Sequence, residues 1–245
     1  MNTVTKGRYN ARFVDATGGA FRDLLDLRAR CFRPDDPVAD DRDGFDDLCR
    51  HVRVADTSDD TVVATFRVMP LCDGSDIANS YAAQFYCLDA LSSYRQPMAE
   101  LGRFCVDPDR HDPDILRVAW QELARFVDDE KVGMLFGCSS FKGTDPGRWR
   151  RSFSMLSQKY LGPKYRLPTK RARSVVDLEV SGQVKENFSA HDIKELPAIL
   201  HLYLTLGGWV SDHAVIDRDL DTIHVFTGLE IAGIPPRRAR FLRGE

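Results

Sequence analysis

A carboxylate and a guanidinium lie three residues apart in Glu100-Leu101-Gly102-Arg103, at the start of a short apolar segment that runs to Val106. Charged side chains in a half-buried strand are costly unless they are paired or used. A carboxylate that faces a cleft can take a proton from an amine, and a neighbouring arginine can hold that carboxylate or an anionic substrate. Glu100 and Arg103 are therefore either a structural ion pair or part of a site that acts on an amine.

The strand that carries these two residues is predicted to span Glu100–Val106. On a regular strand Glu100 and Arg103 face opposite sides, because side chains alternate with a period of two. A β-bulge at Gly102 would bring both side chains to one side, and glycine tolerates the backbone conformations that bulges need. The sequence therefore predicts a bulge near Gly102.

The surrounding elements follow from apolar spacing and capping signals. Helical spacing predicts a helix over Ala20–Phe32, and a polar turn joins two strands, Arg50–Ala55 and Thr61–Met69. An Asp-Pro-Asp start predicts a helix over residues 112–130, and a continuous apolar run predicts a central strand over residues 132–138. This order of strands and helices predicts a mixed α/β sheet with a strand–helix–strand unit at its centre.

Length and composition limit the class of protein. The 245 residues fit a single domain, 1–245, with a core over about 10–180 and a C-terminal helical and strand extension over about 181–245. No apolar run reaches the roughly 18 residues that span a bilayer, and the first nine residues lack a signal-peptide core, so a cytoplasmic location is expected. Six cysteines without a CxxC pair and six histidines without ligand spacing predict no disulfide framework and no metal site.

Charge is distributed unevenly although the net charge is only −3. Residues 35–60 hold ten Asp and three Arg, whereas residues 141–173 hold ten Lys or Arg and one acid. The basic segment is either a solvated surface or a contact for an acidic protein, phospholipid headgroups or nucleic acid.

Several motifs resemble the GNAT superfamily of acyltransferases. One set of residues resembles the series of motifs found in the acyl-homoserine-lactone synthases of this superfamily: Leu27-Arg28, Phe32, Asp43-Gly44-Phe45-Asp46, Arg67 and Glu100-Leu101-Gly102-Arg103. Residues 45–51 (FDDLCRH) and 135–146 (LFGCSSFKGTDP) resemble signatures of the ornithine-lipid N-acyltransferases. The resemblance spans roughly residues 20–230 and favours the second branch.

The resemblance implies a GNAT-like, mostly antiparallel central sheet flanked by helices. It implies transfer of a fatty acyl group, often 3-hydroxylated, from acyl carrier protein to the α-amino group of ornithine, which gives lyso-ornithine lipid. No cofactor would be bound permanently, since the acyl-phosphopantetheine of the carrier protein is a co-substrate. Glutamine is the alternative acceptor. Homoserine-lactone synthesis is less favoured because no Trp precedes Trp120, and a non-catalytic carrier-binding module is a further alternative.

Roles for individual residues follow from the resemblance and from the chemistry of amine acylation. Glu100 would be the general base, and Arg103 with Asp43 and Asp46 would position the acceptor. The two aspartates would bind the ornithine side-chain cation, while Arg67 would hold the acceptor's α-carboxylate or orient Glu100. The further substrate-binding positions are Arg28, Phe32, the backbone of Phe104, Cys105 and Val106, and Ser139 and Ser140, with His51 or Ser139 as candidates for proton transfer.

The donor is predicted from the loop after the strand. In GNAT enzymes a glycine-rich loop wraps the CoA diphosphate at a helix N-terminus, whereas residues 108–114 here contain acids and no glycine. The predicted donor is therefore acyl carrier protein, an acidic partner, rather than CoA, and nucleic acid is not expected. Carrier-protein contacts are predicted for Arg148, Arg150, Arg151, Lys159 and Lys164. The same basic helix and the arginines of residues 237–243 predict peripheral contact with an anionic membrane.

Overall fold

The computed structural model describes residues 3–36, 38, 40–178 and 187–244. Its strands are β1 (Val4–Lys6), β2 (Tyr9–Val14), β3 (Arg50–Asp56), β4 (Val62–Leu71), β5 (Tyr86–Cys87), β6 (Met98–Val106), β7 (Met134–Lys142), β8 (Thr169–Lys170), β9 (Val175–Asp177), β10 (Trp209–Asp217) and β11 (Thr222–Glu230). Its α-helices are α1 (Gly18–Phe32), α2 (Pro113–Asp129), α3 (Arg150–Lys159), α4 (Ala190–Lys194), α5 (Ala198–Thr205) and α6 (Pro236–Arg243). Short 3₁₀ turns include Asp46–Leu48, Ala82–Gln84 and Pro146–Trp149. None of the helices in this described part combines the length and apolarity needed to cross a membrane.

The chain divides into two compact units, and β6 belongs to both, because residues 98–100 lie in the second and residues 101–106 in the first. The first unit comprises residues up to 70, residues 101–132 and residues from 236 onward. Its strand order is β1-β2-β3-β4-β6, and the pairs from β1 to β4 are antiparallel. Apolar side chains of α1, led by Leu24 and Leu27, pack in one cluster with Val62 and Cys105. Burial of each such leucine contributes about 2 kcal/mol.

The second unit comprises residues 71–100 and 133–235. Its strand order is β6-β7-β11-β10-β9, with β5 and β8 forming a separate small sheet. β6 and β7 are parallel over three pairs, from Met98–Met134 to Glu100–Phe136, and the remaining pairs are antiparallel. Residues of α3 and α5, among them Phe153 and Leu200, form a core with Val225. The predicted mixed α/β fold with mostly antiparallel strands is confirmed.

Some predicted element bounds were wrong. β7 continues to Lys142, whereas the sequence predicts a polar loop from Ser139. Antiparallel pairing with β11 keeps these residues in the sheet, and burial alternates along them, with Ser139 and Phe141 inside and Ser140 exposed. The predicted helix over residues 192–205 is two helices, because Pro197 lies between α4 and α5 and cannot donate a helical hydrogen bond.

Other predicted elements keep their positions with shorter bounds. The basic helix predicted over residues 148–160 is the 3₁₀ turn Pro146–Trp149 followed by α3. The strand predicted over residues 174–180 is β9, and positions 179 and 180 lie outside the described residues. Asp112 caps α2 and Pro113 is its first residue, as the sequence predicts.

Candidate functional site

Three arginines and three aspartates of the first unit form a buried ion network, with Asp46 at its centre. Asp46 Oδ1 accepts hydrogen bonds from Arg28 Nη1 and Arg67 Nη1, both at 2.7 Å. Its Oδ2 accepts from the backbone N–H of Asp43 at 2.9 Å. The ion network consists of Arg28, Asp41, Asp43, Asp46, Arg67 and Arg103. These six residues carry three formal charges of each sign, and Arg33 adds a further cation at their edge, with its Nε 3.5 Å from Asp41 Oδ1. Such pairing is the condition for keeping ions in the interior.

Asp43 forms the most exposed edge of the ion network, with its side chain 25% exposed. Arg67 binds it through two parallel hydrogen bonds of 2.6 and 2.9 Å, a geometry that fits a guanidinium to a carboxylate. Its oxygens also accept from the N–H of Phe45 at 2.9 Å and from Arg103 Nη2 at 3.2 Å. These four contacts use the four acceptor positions of the carboxylate. A cation that reaches Asp43 must therefore compete with an existing donor, and the longest contact is the one from Arg103.

Asp41 joins Arg28 and Arg103 at the other end of the ion network, and it also pairs with Arg33. Its Oδ2 accepts from Arg28 Nε at 2.8 Å and from Arg103 Nε at 2.9 Å, and its backbone carbonyl accepts from Arg28 Nη2 at 2.6 Å. Sequence reasoning missed this residue. Residues 35–60 contain ten aspartates, and composition alone does not show which of them is buried.

Each member of the ion network is held by its own element. Arg28 lies on the buried face of α1, one turn after Leu24, and Arg67 lies in β4, whose residues from Val62 to Met69 are all buried. Arg103 lies in β6 with φ of +49°. The irregular backbone of this strand is therefore at Arg103, one residue after the glycine at which the sequence predicts it. A non-glycine residue in this region costs roughly 1–2 kcal/mol, which the paired side chain offsets.

The electrostatics of the ion network keep Asp43 and Asp46 ionised. Burial raises the pKa of Asp46, but hydrogen bonds and charges from Arg28 and Arg67 outweigh it and lower the pKa to about 2. Partial burial raises the pKa of Asp43, but the hydrogen bonds and charge of Arg67 and the charge of Arg103 outweigh it and lower the pKa. Beside them, His51 Nε2 lies 2.9 Å from the carbonyl oxygen of Asp46. Burial lowers the pKa of His51, which favours its neutral form at pH 7.

Aromatic rings border the ion network. The guanidinium of Arg103 lies 5.7 Å from the ring centre of Phe32, and that of Arg67 lies 5.8 Å from Phe45, within the range of cation–π contacts. Phe104 stacks between Phe66 and Trp120, with ring centres 5.2 Å from each. The side chain of Phe104 is thus part of the packing of the first unit.

Cys105 and Val106 follow Phe104 along β6 and contact α1. Cys105 is buried, and its thiol makes a hydrogen bond with that of Cys31. The Cys31 thiol also lies 3.5 Å from the carbonyl oxygen of Val106. Like Phe104, these two predicted substrate-binding residues have a packing role that leaves only their backbone for a ligand.

Glu100 lies in the second unit, at the last parallel pair between β6 and β7. Its buried carboxylate accepts hydrogen bonds from two successive backbone N–H groups, Tyr81 to Oε2 and Ala82 to Oε1, both at 2.7 Å. These two hydrogen bonds fix the position of the carboxylate between β6 and the turn at residues 81–82. Burial and the charge of Glu100 raise the pKa of Tyr203 on α5, so this tyrosine stays protonated beside the carboxylate.

The predicted serines of β7 point to opposite sides of the sheet. Ser139 is buried and accepts a hydrogen bond from the Thr227 hydroxyl at 3.0 Å. Ser140 is exposed one residue further on. The structure does not bring these two side chains together.

The predicted carrier-protein contacts lie on and around α3. Arg148, Arg150, Lys159 and Lys164 are exposed. Arg151 instead forms a two-point ion pair with Asp192 of α4, including Nη2 to Oδ2 at 3.0 Å. Arg151 therefore joins α3 to α4. The other four side chains place positive charge on the surface around α3.

Acidic side chains of the loop before α2 bind the backbone N–H groups at and before the start of this helix. Asp112 accepts a hydrogen bond from the N–H of Asp114 at 2.9 Å, and Asp107 accepts from the N–H of Asp109 at 3.1 Å. Backbone N–H groups at a helix start and in the turn before it can bind an anion such as a phosphate. Here the carboxylates of Asp112 and Asp107 already accept hydrogen bonds from two of these groups.

Two buried histidines of the second unit were not identified from the sequence. His224 Nδ1 lies 3.2 Å from the Tyr86 hydroxyl, which donates to the His224 carbonyl at 2.8 Å. The Tyr86 ring centre is 5.2 Å from His213. Burial and the proximity of His213 lower the pKa of His224 to about 4. Across the described residues, no group of three or more His, Cys, Asp and Glu side chains is arranged to bind a metal ion.

Comparison with known proteins defines the class. A family model described as the acetyltransferase (GNAT) domain matches residues 29–121, a segment that contains five of the six residues of the ion network. Residues 29–121 are thus similar to the GNAT acetyltransferase domain family. The GNAT-type fold and the N-acyltransferase class predicted from the motifs are confirmed.

The chain is similar to L-ornithine N(alpha)-acyltransferases over most of its length. It is 29% identical over 236 residues to that of Rhodobacter capsulatus, covering 94% of this chain and 86% of the relative. It is 27% identical to that of Brucella abortus, covering 84% of this chain and 75% of the relative. Among solved structures, FeeM, an N-acyl amino acid synthase from uncultured soil microbes, is 9% identical with a TM-score of 0.47, covering 93% of this chain and 94% of that chain.

Proposed function

We propose that this protein transfers a fatty acyl group, including 3-hydroxyacyl groups, from acyl carrier protein to the α-amino group of L-ornithine, and that the product is lyso-ornithine lipid. The observation that carries the proposal is the similarity, along 94% of the chain, to a relative named L-ornithine N(alpha)-acyltransferase. The reaction joins the amine nitrogen to the thioester carbonyl carbon. The carbon–sulfur bond breaks, and the phosphopantetheine thiol leaves.

The structure of the loop before α2 supports a carrier protein as the acyl donor. Asp112 caps the helix and Asp114 adds a second negative charge in its first turn. A CoA diphosphate at this helix start would meet two carboxylates, whereas the arm of a carrier protein brings a single phosphate and an acidic protein surface. The exposed arginines and lysines around α3 offer the complementary charge for that surface.

We assign recognition of the acceptor to the exposed edge of the ion network. Asp46 is fully buried and Arg67 nearly so, and both act as positioning residues that hold Asp43 in place. The δ-ammonium of ornithine would compete for Asp43 with Arg103, whose contact is the longest of the four that Asp43 accepts. Arg103, once released from Asp43, would be available for the α-carboxylate of the acceptor.

Glu100 is the proposed general base. Acylation requires a neutral amine, and a carboxylate held by two backbone N–H groups has a fixed position from which to accept the proton. In this scheme the proton of the attacking amine passes to Glu100. As the carbon–sulfur bond breaks, Glu100 passes that proton on to the leaving thiolate, which restores the carboxylate and releases the thiol.

Glutamine is the second candidate acceptor, because its side-chain amide also donates hydrogen bonds to a carboxylate such as Asp43. The two acceptors differ in charge. An ammonium gains from the negative charge of Asp43, whereas a neutral amide gains a hydrogen bond alone.

A single assay tests the proposal. Purified protein is incubated with 3-hydroxyacyl carrier protein and a panel of amino acids, free thiol is measured, and the lipid is identified by mass spectrometry. Thiol release with ornithine is the expected result. Release with glutamine alone would transfer the assignment to the second candidate, and no release with either would overturn the proposal.

The donor is tested with the basic residues around α3. Arg148→Gln/Arg150→Gln should raise KM for acyl carrier protein, since opposed charges across an interface speed association, and should leave KM for ornithine unchanged. The matched control, Arg22→Gln/Arg117→Gln, removes two exposed arginines from the first unit and should leave both constants unchanged. An unchanged KM for the carrier protein in the α3 variant would exclude this surface as its contact.

A further inference from the structure

Helix α6 of the first unit presents a cationic surface with an aromatic side chain at its centre. Phe241 is 63% exposed, which is unusual for a large apolar side chain in a helix. At 100° per residue, Arg237 and Arg238 flank Phe241 on the helix circumference, and Arg240 extends the same face, so that all four lie within an arc of about 160°. We call this the α6 face: Arg237, Arg238, Arg240 and Phe241.

The opposite side of α6 fixes the helix to its own unit. Arg243 donates two hydrogen bonds of 2.7 Å to the carboxylate of Asp128, near the C-terminal end of α2. Ala239 and Leu242 are half-buried on this side. The helix is therefore held in an orientation that leaves the α6 face exposed.

We propose that the α6 face is a contact surface for an anionic phospholipid bilayer. Arginines near such a bilayer are attracted by the negative potential of the lipid headgroups. An amphipathic helix lies in the interface with its apolar side chain below the level of the headgroups and its cations among them, which the arrangement of Phe241 between arginines reproduces.

A bilayer fits the α6 face better than an acidic protein does. In an anionic bilayer an apolar layer lies directly beneath a layer of negative charge, which gives both Phe241 and the flanking arginines a favourable environment at once. The proposal also rests on the proposed function, because an amphiphilic acylated amino acid must be delivered to a membrane.

The contact is measured by flotation with vesicles in which about a third of the lipid is phosphatidylglycerol, against vesicles of phosphatidylcholine alone. The wild-type protein should float with the anionic vesicles and lose this binding as salt is raised. Substitution of three arginines by glutamine, in Arg237→Gln/Arg238→Gln/Arg240→Gln, should weaken binding about fivefold for each arginine, or roughly 100-fold in all. Phe241→Ser should weaken it about tenfold.

Matched controls separate this surface from net charge and from exposed apolar area. Three other exposed arginines of the first unit are replaced in Arg22→Gln/Arg30→Gln/Arg117→Gln, and the exposed valine is replaced in Val38→Ser. Both controls should float as the wild type does, and circular dichroism should give the same spectrum for every variant because each changed side chain is exposed.

Three results would overturn the proposal: no flotation of the wild type, equal loss in the charge control, or unchanged flotation of the α6 variants. If the α6 variants instead lose binding to acyl carrier protein while they still float, the face belongs to a protein partner and the lipid assignment is wrong. Amino-acid acylation with a carrier-protein donor is measured without vesicles, so a failure of the proposed function is recorded separately from a failure of the membrane contact.

Discussion

Arg67 and Asp46 form a buried ion pair in the first unit, with Nη1 and Oδ1 2.7 Å apart. The same oxygen of Asp46 also accepts from Arg28. One carboxylate oxygen therefore bridges two guanidinium groups, which come from a helix and a strand distant in sequence. Asp41 and Asp43 complete the pairing of Arg28 and Arg67. Loss of the Asp46 charge should therefore destabilise the interior of this unit, because two buried arginines depend on it.

Asp46→Asn should destabilise the protein by roughly 3–5 kcal/mol, because it leaves the buried charges of Arg28 and Arg67 without their shared partner. The free energy of unfolding is measured by urea titration. The matched control is Asp47→Asn, which changes an aspartate that is 68% exposed and paired with an exposed arginine. An exposed pair contributes about 0–1 kcal/mol. Equal losses in the two variants would contradict a central role for Asp46.

Gly102→Ala should be neutral or stabilise the protein by about 0.5 kcal/mol. The left-handed backbone of β6 is at Arg103 rather than at Gly102. A Cβ at position 102 would lie 3.6 Å from Arg67 Nε, which is an ordinary contact, so the substitution restricts the unfolded chain without strain. Thermal and urea unfolding measure the effect.

The contrasting variant is Gly228→Ala, whose Cβ would overlap the indole of Trp209. It should cost roughly 1–3 kcal/mol. A loss of that size in Gly102→Ala would mean that the strand needs a glycine at this position after all.

The sequence indicated which charged residues act together but not how they pair. Arg28, Asp43, Asp46, Arg67 and Arg103 were selected because their motifs resemble those of acyl-homoserine-lactone synthases, and the structure joins all five in one ion network. Their pairing depends on how a helix, a turn and two strands are placed in space. That placement is set by packing of apolar residues far apart in the chain, which local patterns do not specify.

Other features carry no signal in the side chains at all. The groups that hold Glu100 are the backbone N–H groups of Tyr81 and Ala82, and every non-proline residue has one. The end of β7 was misjudged for a related reason, because Phe141 is the one apolar residue among residues 139–142, which are kept in the sheet by pairing with β11. The helix start at Asp112 was predicted correctly because a capping residue acts within its own turn.

His224→Phe should reduce the acid sensitivity of the protein. The pKa of His224 is lowered to about 4 in the folded state from 6.5 for an exposed histidine, because of burial first and His213 second. Between these values the unfolded state binds more protons, so stability falls as pH decreases from about 6.5 to about 4. The two pKa values correspond to a loss of about 3 kcal/mol over that range.

The variant at position 224 should lack this part of the pH dependence, whatever its stability at pH 7. Urea unfolding at a series of pH values measures the slope. His191→Gln is the control, since His191 is exposed on α4 and should leave the slope as it is in the wild type. A variant at position 224 with the wild-type slope would show that this histidine does not titrate between the two values.

Glu100→Gln should lower kcat for acyl transfer by about 10²–10⁴, because an amide cannot take the proton of the attacking amine. It should also cost about 1–3 kcal/mol of stability, since the new NH₂ group faces one of the two N–H donors of Tyr81 and Ala82. Steady-state kinetics on folded protein and urea unfolding measure the two effects separately. Glu195→Gln, an exposed acid of the same unit, should change neither. A carboxylate that serves only to hold the loop at residues 81–82 would give the loss of stability with an unchanged kcat, and that outcome would remove Glu100 from the catalytic mechanism.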